Sequence, residues 1–360
     1  MANPFLLTRV VLRFNRESED LLGQLSGVAL TPDGNLWVGS DELLSVERLS
    51  PIEPYIFGEE RSFFIGDFVE LFNDKDEIDI EGIAYSNPYL WVTGSHSTKR
   101  GKPKGKNPQK DIKKLCKIKT DANRYLLARI PISNGELVKS CSPSDQPDEQ
   151  FTAACLQKTE DSNILIEALK KDCHLGPFIT FPLPSKENGF DIEGLAVCGN
   201  RVFLGFRGPV LRGWAIILEI EVVESEPGIL TLKEIGENGT VYKKHFVDLN
   251  GLGVRDLCFQ GEDLIILAGP TMHMEGEMRL LRFKGILDQA GDSIWGQDSS
   301  NLEVLFDLPF IVGVDHAEGV TLFPCLGQSD SLLVVYDSAD PARKIKLNGV
   351  YADVFKLSGK

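Results

Sequence analysis

Three copies of one short element carry most of the residues able to do chemistry. Asp79–Ala84 reads DIEGIA, Asp191–Ala196 reads DIEGLA and His316–Thr321 reads HAEGVT. Weaker copies are Gln24–Ala29, QLSGVA, and Gly253–Cys258, GVRDLC. In the first two copies the acids are two residues apart. In an extended segment Asp79 and Glu81 therefore share one face, as do Asp191 and Glu193. Carboxylates grouped in this way hold hard cations or exchange protons, and they favour Ca or Mg over a softer metal.

An apolar run follows each copy: LWVGS (36–40), LWVTGS (90–95), VFLGF (202–206), LIILAG (264–269) and LLVVYD (332–337). A third run comes next in every case. A fourth closes most units, at 63–72, 176–183, 241–249 and 302–310. The runs are short, rich in β-branched and aromatic residues, and bounded by Gly, Pro, Asn and Asp, so they read as strands. Four strands per repeat is the pattern of a β-propeller. The last unit lacks a fourth strand, and residues 5–14, FLLTRVVLRF, form a strand without a unit. The N-terminal strand is therefore expected to complete the last blade and close the ring.

The repeat glycine or its equivalent falls at Gly27, Gly82, Gly194, Asp256 and Gly319, with one gap about twice the others. That gap holds either a sixth blade or an insertion. Residues 96–123 and 136–175 do not read as strands. NILIEALKK (163–171) has helical spacing, and KDIKKLCKI (110–118) reads as a short basic helix. The expected fold is thus an all-β, five-bladed propeller, one domain over 1–360, with those two insertions in blade two.

In a propeller the starts of the innermost strands and the ends of the second strands meet at one mouth of the central channel. This brings Asp79, Glu81, Asp191, Glu193 and Glu318 together as candidate metal ligands. His96, His273 and His316 become candidate proton carriers, and Arg207, Arg212 and Arg255 candidate ligand-binding residues. His174 and His245 fall outside the mouth. The competing structural reading is that Glu before Gly staples blades together through backbone N–H groups or arginines.

Lys plus Arg number 38 and Asp plus Glu 53, a net charge of −15 that excludes a whole-surface nucleic-acid binder. Residues 99–119 hold ten Lys or Arg and one Asp, so a +9 segment sits on a −24 body. The seven cysteines form no C-x-x-C, which points to free thiols in a reducing compartment. No apolar run reaches membrane-spanning length, and the N-terminus lacks the marks of a signal peptide. The expectation is a cytoplasmic protein without a membrane partner, binding a small polar or anionic ligand or another protein. No G-x-S-x-G element or P-loop is present.

The repeated E-G elements, with GFDIEGLAV (189–197) and VFLGFRGPVLRGWAIILEIEV (202–222), resemble the DUF3616 family. The E-G-I/L-A element is also similar, over a few residues, to the esterase-like and phytase-like propeller group. The resemblance implies a propeller and assigns no catalytic residue. Two functions follow from the residues themselves. One is a hydrolase of a phosphoester, ester or lactone with a divalent cation at the channel mouth. The other is a non-catalytic propeller that binds a ligand or partner.

Overall fold

The computed structural model describes residues 5–15, 19–142, 149–181, 183–346 and 348–357. The first unit runs Leu25–Leu30, Leu36–Ser40, Ser45–Glu53 and Ile56–Phe64, each strand antiparallel to the next. The second is Ile80–Ser86, Tyr89–Gly94, Leu127–Ser133 and Ala154–Leu156. The third is Asp191–Cys198, Arg201–Gly208, Trp214–Glu226 and Tyr242–Asp248. The fourth is Gly253–Gln260, Asp263–Gly269, Arg279–Phe283 and Leu302–Asp307. The last is His316–Leu322, Ser331–Asp337 and Gly349–Lys356, with Leu6–Arg13 paired antiparallel to its outer side. The first strand of each unit packs against the first strands of its two neighbours, and the last returns to the first. The fold is an all-β propeller.

Each apolar cluster lies between two adjacent units. Val28 packs toward the last unit and Ala29 toward the second; Leu204 faces the second unit and Phe203 the fourth. Both faces of a strand are therefore buried. This is why runs such as LIILAG are continuously apolar rather than alternating. Parallel pairs tie the outer rims: Val11 with Ile56, Cys155 with Ile229, and His245 with Ser293.

The outer strands depart from the sequence-based expectation. In the first unit the outer strand is Ile56–Phe64, folded back after Tyr55, and residues beyond it form a 3₁₀ turn at Ile65–Asp67. Residues 176–183 do not form a strand: Gly176–Thr180 is a helix entered through Pro177. The second unit is closed instead by the three-residue strand Ala154–Leu156. The two helical expectations hold, as Ile164–Leu169 and Pro108–Leu115. Among the described residues no helix is long and apolar enough to cross a membrane, and all seven cysteines are free.

Candidate functional site

Every innermost strand breaks register at the same point. The ladder skips one residue between Leu25 and Gly27, Ile80 and Gly82, Ile192 and Gly194, Val254 and Asp256, and Ala317 and Gly319. The skipped residues are Ser26, Glu81, Glu193, Arg255 and Glu318. A β-bulge leaves its extra residue unpaired and re-aims its side chain. In the third unit the two acids nonetheless meet on one side, as the two-residue spacing predicts, where Arg207 reaches both Asp191 and Glu193.

The glycine after the bulge has its own reason. A Cβ on Gly82 would lie 2.5 Å from Leu195 Cβ, and one on Gly194 2.9 Å from Leu257 Cγ. One on Gly319 would meet Val28 N at 3.1 Å, and one on Gly27 would meet Ile83 N at 3.2 Å. Each glycine is where the next unit's inner strand comes closest. Only Asp256 breaks the series, and its carboxylate accepts the N–H of Val320 on that next strand at 2.7 Å.

Arginines thread between the bulge-borne acids. Arg207, buried at the end of its strand, reaches Asp191 Oδ2 at 2.5 Å and Glu193 Oε1 at 2.7 Å. Arg255 places Nε 2.9 Å from Glu193 Oε2 and pairs with Glu318 through Nη2. Arg124, in the turn before Leu127–Ser133, grips both oxygens of Asp79 at 2.8 Å. Asp79 itself takes a left-handed backbone, φ 57°, which Asp tolerates better than most residues. Glu81 is different: among the described residues no hydrogen bond or ion pair reaches its carboxylate.

Four acids, Asp79, Asp191, Glu193 and Glu318, thus pair with three guanidiniums, those of Arg124, Arg207 and Arg255, while Asp41 and Glu81 lie beside other acids of the group with no arginine pair among the described residues. The excess negative charge shows in the titration. Burial, then Asp79 and Asp337, pushes Asp41 up to about 7. Burial also raises Glu318 to about 7 and Asp191 to about 6, against the pull of Arg255 and Arg207 respectively. Glu81 rises well above the usual carboxylate range through burial and the charges of Glu193, Asp79 and Glu318.

The predicted residues divide. Asp79, Glu81, Asp191, Glu193, Glu318, Arg207 and Arg255 come together at the channel. His316 stands at its rim, partly exposed, 3.3 Å from Glu275 and 3.9 Å from Asp337. The carboxylates of Asp337 and Glu275 raise its pKa. His273 and Arg212 lie exposed on rim loops. His96 is not part of the ring. Its Nδ1 donates to Gly94 O and its Nε2 accepts from Asn163, both at 2.9 Å, and burial lowers its pKa to about 4. With both nitrogens engaged it does not stand as a proton carrier. It lines a cleft of about 320 Å³ beside the channel, with Tyr125, Asp161 and Phe178. The far end of the channel is apolar, lined by Ala29, Ala84, Val197, Phe259 and Leu322.

Sequence reasoning missed Arg124 as a partner of Asp79. It follows directly on the basic segment, where one more cation carries no signal. The channel acids do not close around one point: among the described residues only Asp172, Cys173 and His174 bring three ligand atoms within 4.8 Å. There the Lys244 ammonium already pairs with Asp172 and lies 3.3 Å from His174 Nδ1, so a cation is in place.

A family model described as "Protein of unknown function (DUF3616)" matches residues 24–353. No curated protein matches the chain. Among solved structures, the chain is similar to a putative oxidoreductase (glucose dehydrogenase) from Thermus thermophilus at 13% identity, TM-score 0.40, covering 96% of this chain and 100% of that one. It is similar to the PQQ-bound aldose sugar dehydrogenase of Streptomyces coelicolor at 11% identity, TM-score 0.37, covering 97% and 98%. It is also similar to the calcium-binding protein regucalcin of Agrobacterium tumefaciens at 12% identity, TM-score 0.37, covering 99% and 96%.

Proposed function

The chain belongs to the DUF3616 family, and we propose that it is a hydrolase of a phosphoester, ester or lactone, with a divalent cation at the channel mouth. We read its units as five blades of one ring. The observation that carries the proposal is Glu81: a bulge turns it out of the ladder, among the described residues no arginine pairs with it, and four acids, Glu193, Asp79, Glu318 and Asp191, crowd it. Glu81, Glu318 and Asp41 would hold a Ca or Mg ion, which would offset the surplus negative charge there, Glu318 exchanging its pairing with Arg255 for the ion. Such an ion would supply an acidified bound water for attack on the substrate.

Asp79, Asp191 and Glu193, held by arginines, frame the site rather than bind the ion. Arg207 and Arg255 hold that frame, so Arg212 is left to meet an anionic substrate group. His316, with His273 nearby in sequence to its partner Glu275, supplies proton transfer at the rim. Calorimetry with Ca and Mg on the parent and on Glu81→Gln, beside turnover of phosphoester, ester and lactone panels, tests this. The expected result is cation binding and hydrolysis, both lost in the variant.

A binding module is the second reading, favoured by Glu193 and Glu318, whose carboxylates are taken by Arg207 and Arg255. A parent protein that takes up no cation and turns over none of these substrates leaves that reading standing.

A further inference from the structure

The mouth face carries a second feature that does not depend on Glu81. The insertion between Tyr89–Gly94 and Leu127–Ser133 is a built arm. Lys99–Arg100 pairs with Ile118–Lys119 at its base, and Arg100 fixes it to Glu187 at 2.8 Å. Helix Pro108–Leu115 starts on Asn107, whose side chain accepts the N–H of Lys110. Asp111 accepts the N–H of Lys104 at 2.9 Å. Yet no residue of this helix is buried. Ile112, Leu115 and Ile118, spaced by three, are 63%, 45% and 42% exposed. Ile112 and Leu115 share one helix face, flanked by lysines, and Ile118 stands exposed on the short strand that follows the helix.

Other large apolar side chains stand free on the same face. Phe181, 75% exposed, lies on the connection into Asp191–Cys198. Met274, 59% exposed, lies between the second and third strands of the fourth unit. Val312, 73% exposed, lies on the connection into His316–Leu322. In a propeller, outer-to-inner connections and second-to-third-strand loops emerge on one side, which is the side of the arm.

These apolar tips sit on separate loops spread around the ring. A bound peptide would follow one groove; a flat surface reaches all of them. The arm's +9 on a −24 body also asks for negative charge in that surface. We propose that the channel face docks on an anionic lipid bilayer, with Ile112, Leu115 and Ile118 in the interfacial layer and the lysines of residues 102–119 over the headgroups. The absence of a spanning segment does not bear on such a peripheral contact. The acids of the mouth lie on this face and oppose the contact, a repulsion screened beyond about 8 Å at physiological salt, so the arm, whose helix has no buried residue, makes the contact and sets the orientation.

The test is flotation of the full chain with phosphatidylcholine vesicles, with and without phosphatidylserine. The expected result is binding only to the serine-containing vesicles, with release at high salt. Replacing Lys110, Lys113 and Lys114 by Ala should weaken binding about a hundredfold. Replacing Ile112 and Leu115 by Ser leaves the charge intact and should still weaken it about tenfold or more. All five positions are exposed or nearly so, and melting curves matching the parent confirm that the variants fold. Parent-like flotation of Glu81→Gln would separate this docking from the hydrolase reading. Failure of the parent to float with phosphatidylserine overturns the proposal. So does capture by polyglutamate without capture by vesicles, which would mark an acidic protein partner instead.

Discussion

Asp256 accepts the backbone N–H of Val320 at 2.7 Å, so a side chain on one inner strand holds the main chain of the next. It also accepts the N–H of Leu257 at 2.8 Å. The other units have glycine at this position and bring the neighbouring strand in by close approach. Two substitutions should therefore fail for opposite reasons. Asp256→Ala strands buried N–H donors, at a cost of about 1–3 kcal/mol each. Gly82→Ala drives a Cβ against Leu195 and should cost about 1–3 kcal/mol by overpacking. Urea midpoints measure both. A parent-like midpoint for Gly82→Ala would mean the strands slide apart freely, which the close-packing account does not allow.

The surplus of acids at the mouth predicts an unusual pH response. Asp41 and Glu318 titrate near 7 in the folded chain, above their ordinary values of 3.8 and 4.5. A carboxyl whose folded pKa is raised contributes stability that is full below the unfolded value and is lost as pH rises through the folded one. The window runs from about pH 4 to about pH 7. Asp41→Asn removes one such group, so the variant should gain on the parent as pH rises. Urea midpoints at pH 4.5 and pH 8 check this. An equal difference at both values would show that Asp41 is ionised at no extra cost. In the cation reading, added Ca or Mg restores the parent at pH 8 and does little for Glu81→Gln.

Much of this architecture is legible because repetition makes it so. The E-G copies and the apolar runs after them mark the inner and second strands of every unit, and these pack on both faces. The outer strands are less legible. Ala154–Leu156 has only three residues, too few for a pattern, and Ile56–Phe64 is interrupted by Glu59, Glu60 and Arg61. Residues 176–183 look like a strand by composition, but Pro177 sits where a helix tolerates it and Asp172 accepts the N–H groups of His174 and Leu175 just before. In the site, the acids were legible and their pairing with arginines was not. Arg207 reaches both Asp191 and Glu193, whereas Glu81, at the same bulge position of the second unit, has no such partner among the described residues. His96 reads as a rim residue by position, but its left-handed backbone, φ 55°, directs it to Asn163 instead.

His96 gives a prediction of the opposite sign. Burial lowers its folded pKa to about 4 from the ordinary 6.5. A buried neutral imidazole contributes stability that is present above pH 6.5 and lost as pH falls toward 4, because the unfolded chain takes up the proton first. Replacing His96 by Gln should destabilise at pH 8, where the bonds to Gly94 and Asn163 are broken or remade poorly. The difference from the parent should shrink by pH 4.5. Hydrolysis, where it is observed, should survive in His96→Gln at a temperature where the variant is folded, whereas His316→Gln should lower it. Loss of turnover in folded His96→Gln with normal cation binding would return this residue to the catalytic set.

The N-terminal strand closes the ring, and its removal is the sharpest test of the fold. Leu6–Arg13 pairs along Gly349–Lys356, from Leu6 with Phe355 to Arg13 with Gly349. On its other side Val11 and Leu12 meet Ile56 and Phe57 of the first unit in parallel. Val10 and Leu12 are fully buried, and Phe5 stacks on Phe306 at 4.4 Å. Burying Val10 and Leu12 alone contributes about 1.5–3 kcal/mol each. Deleting residues 1–15 removes that packing and bares two strand edges at once, which invites edge-to-edge association. The truncated chain should melt many degrees lower and run partly as oligomers on gel filtration. Supplying residues 5–15 as a separate peptide should recover part of the melting temperature, since the slot between Gly349–Lys356 and Ile56–Phe64 remains. A truncated chain that melts like the parent and stays monomeric would mean the ring is held without this strand, by the inner-strand contacts alone.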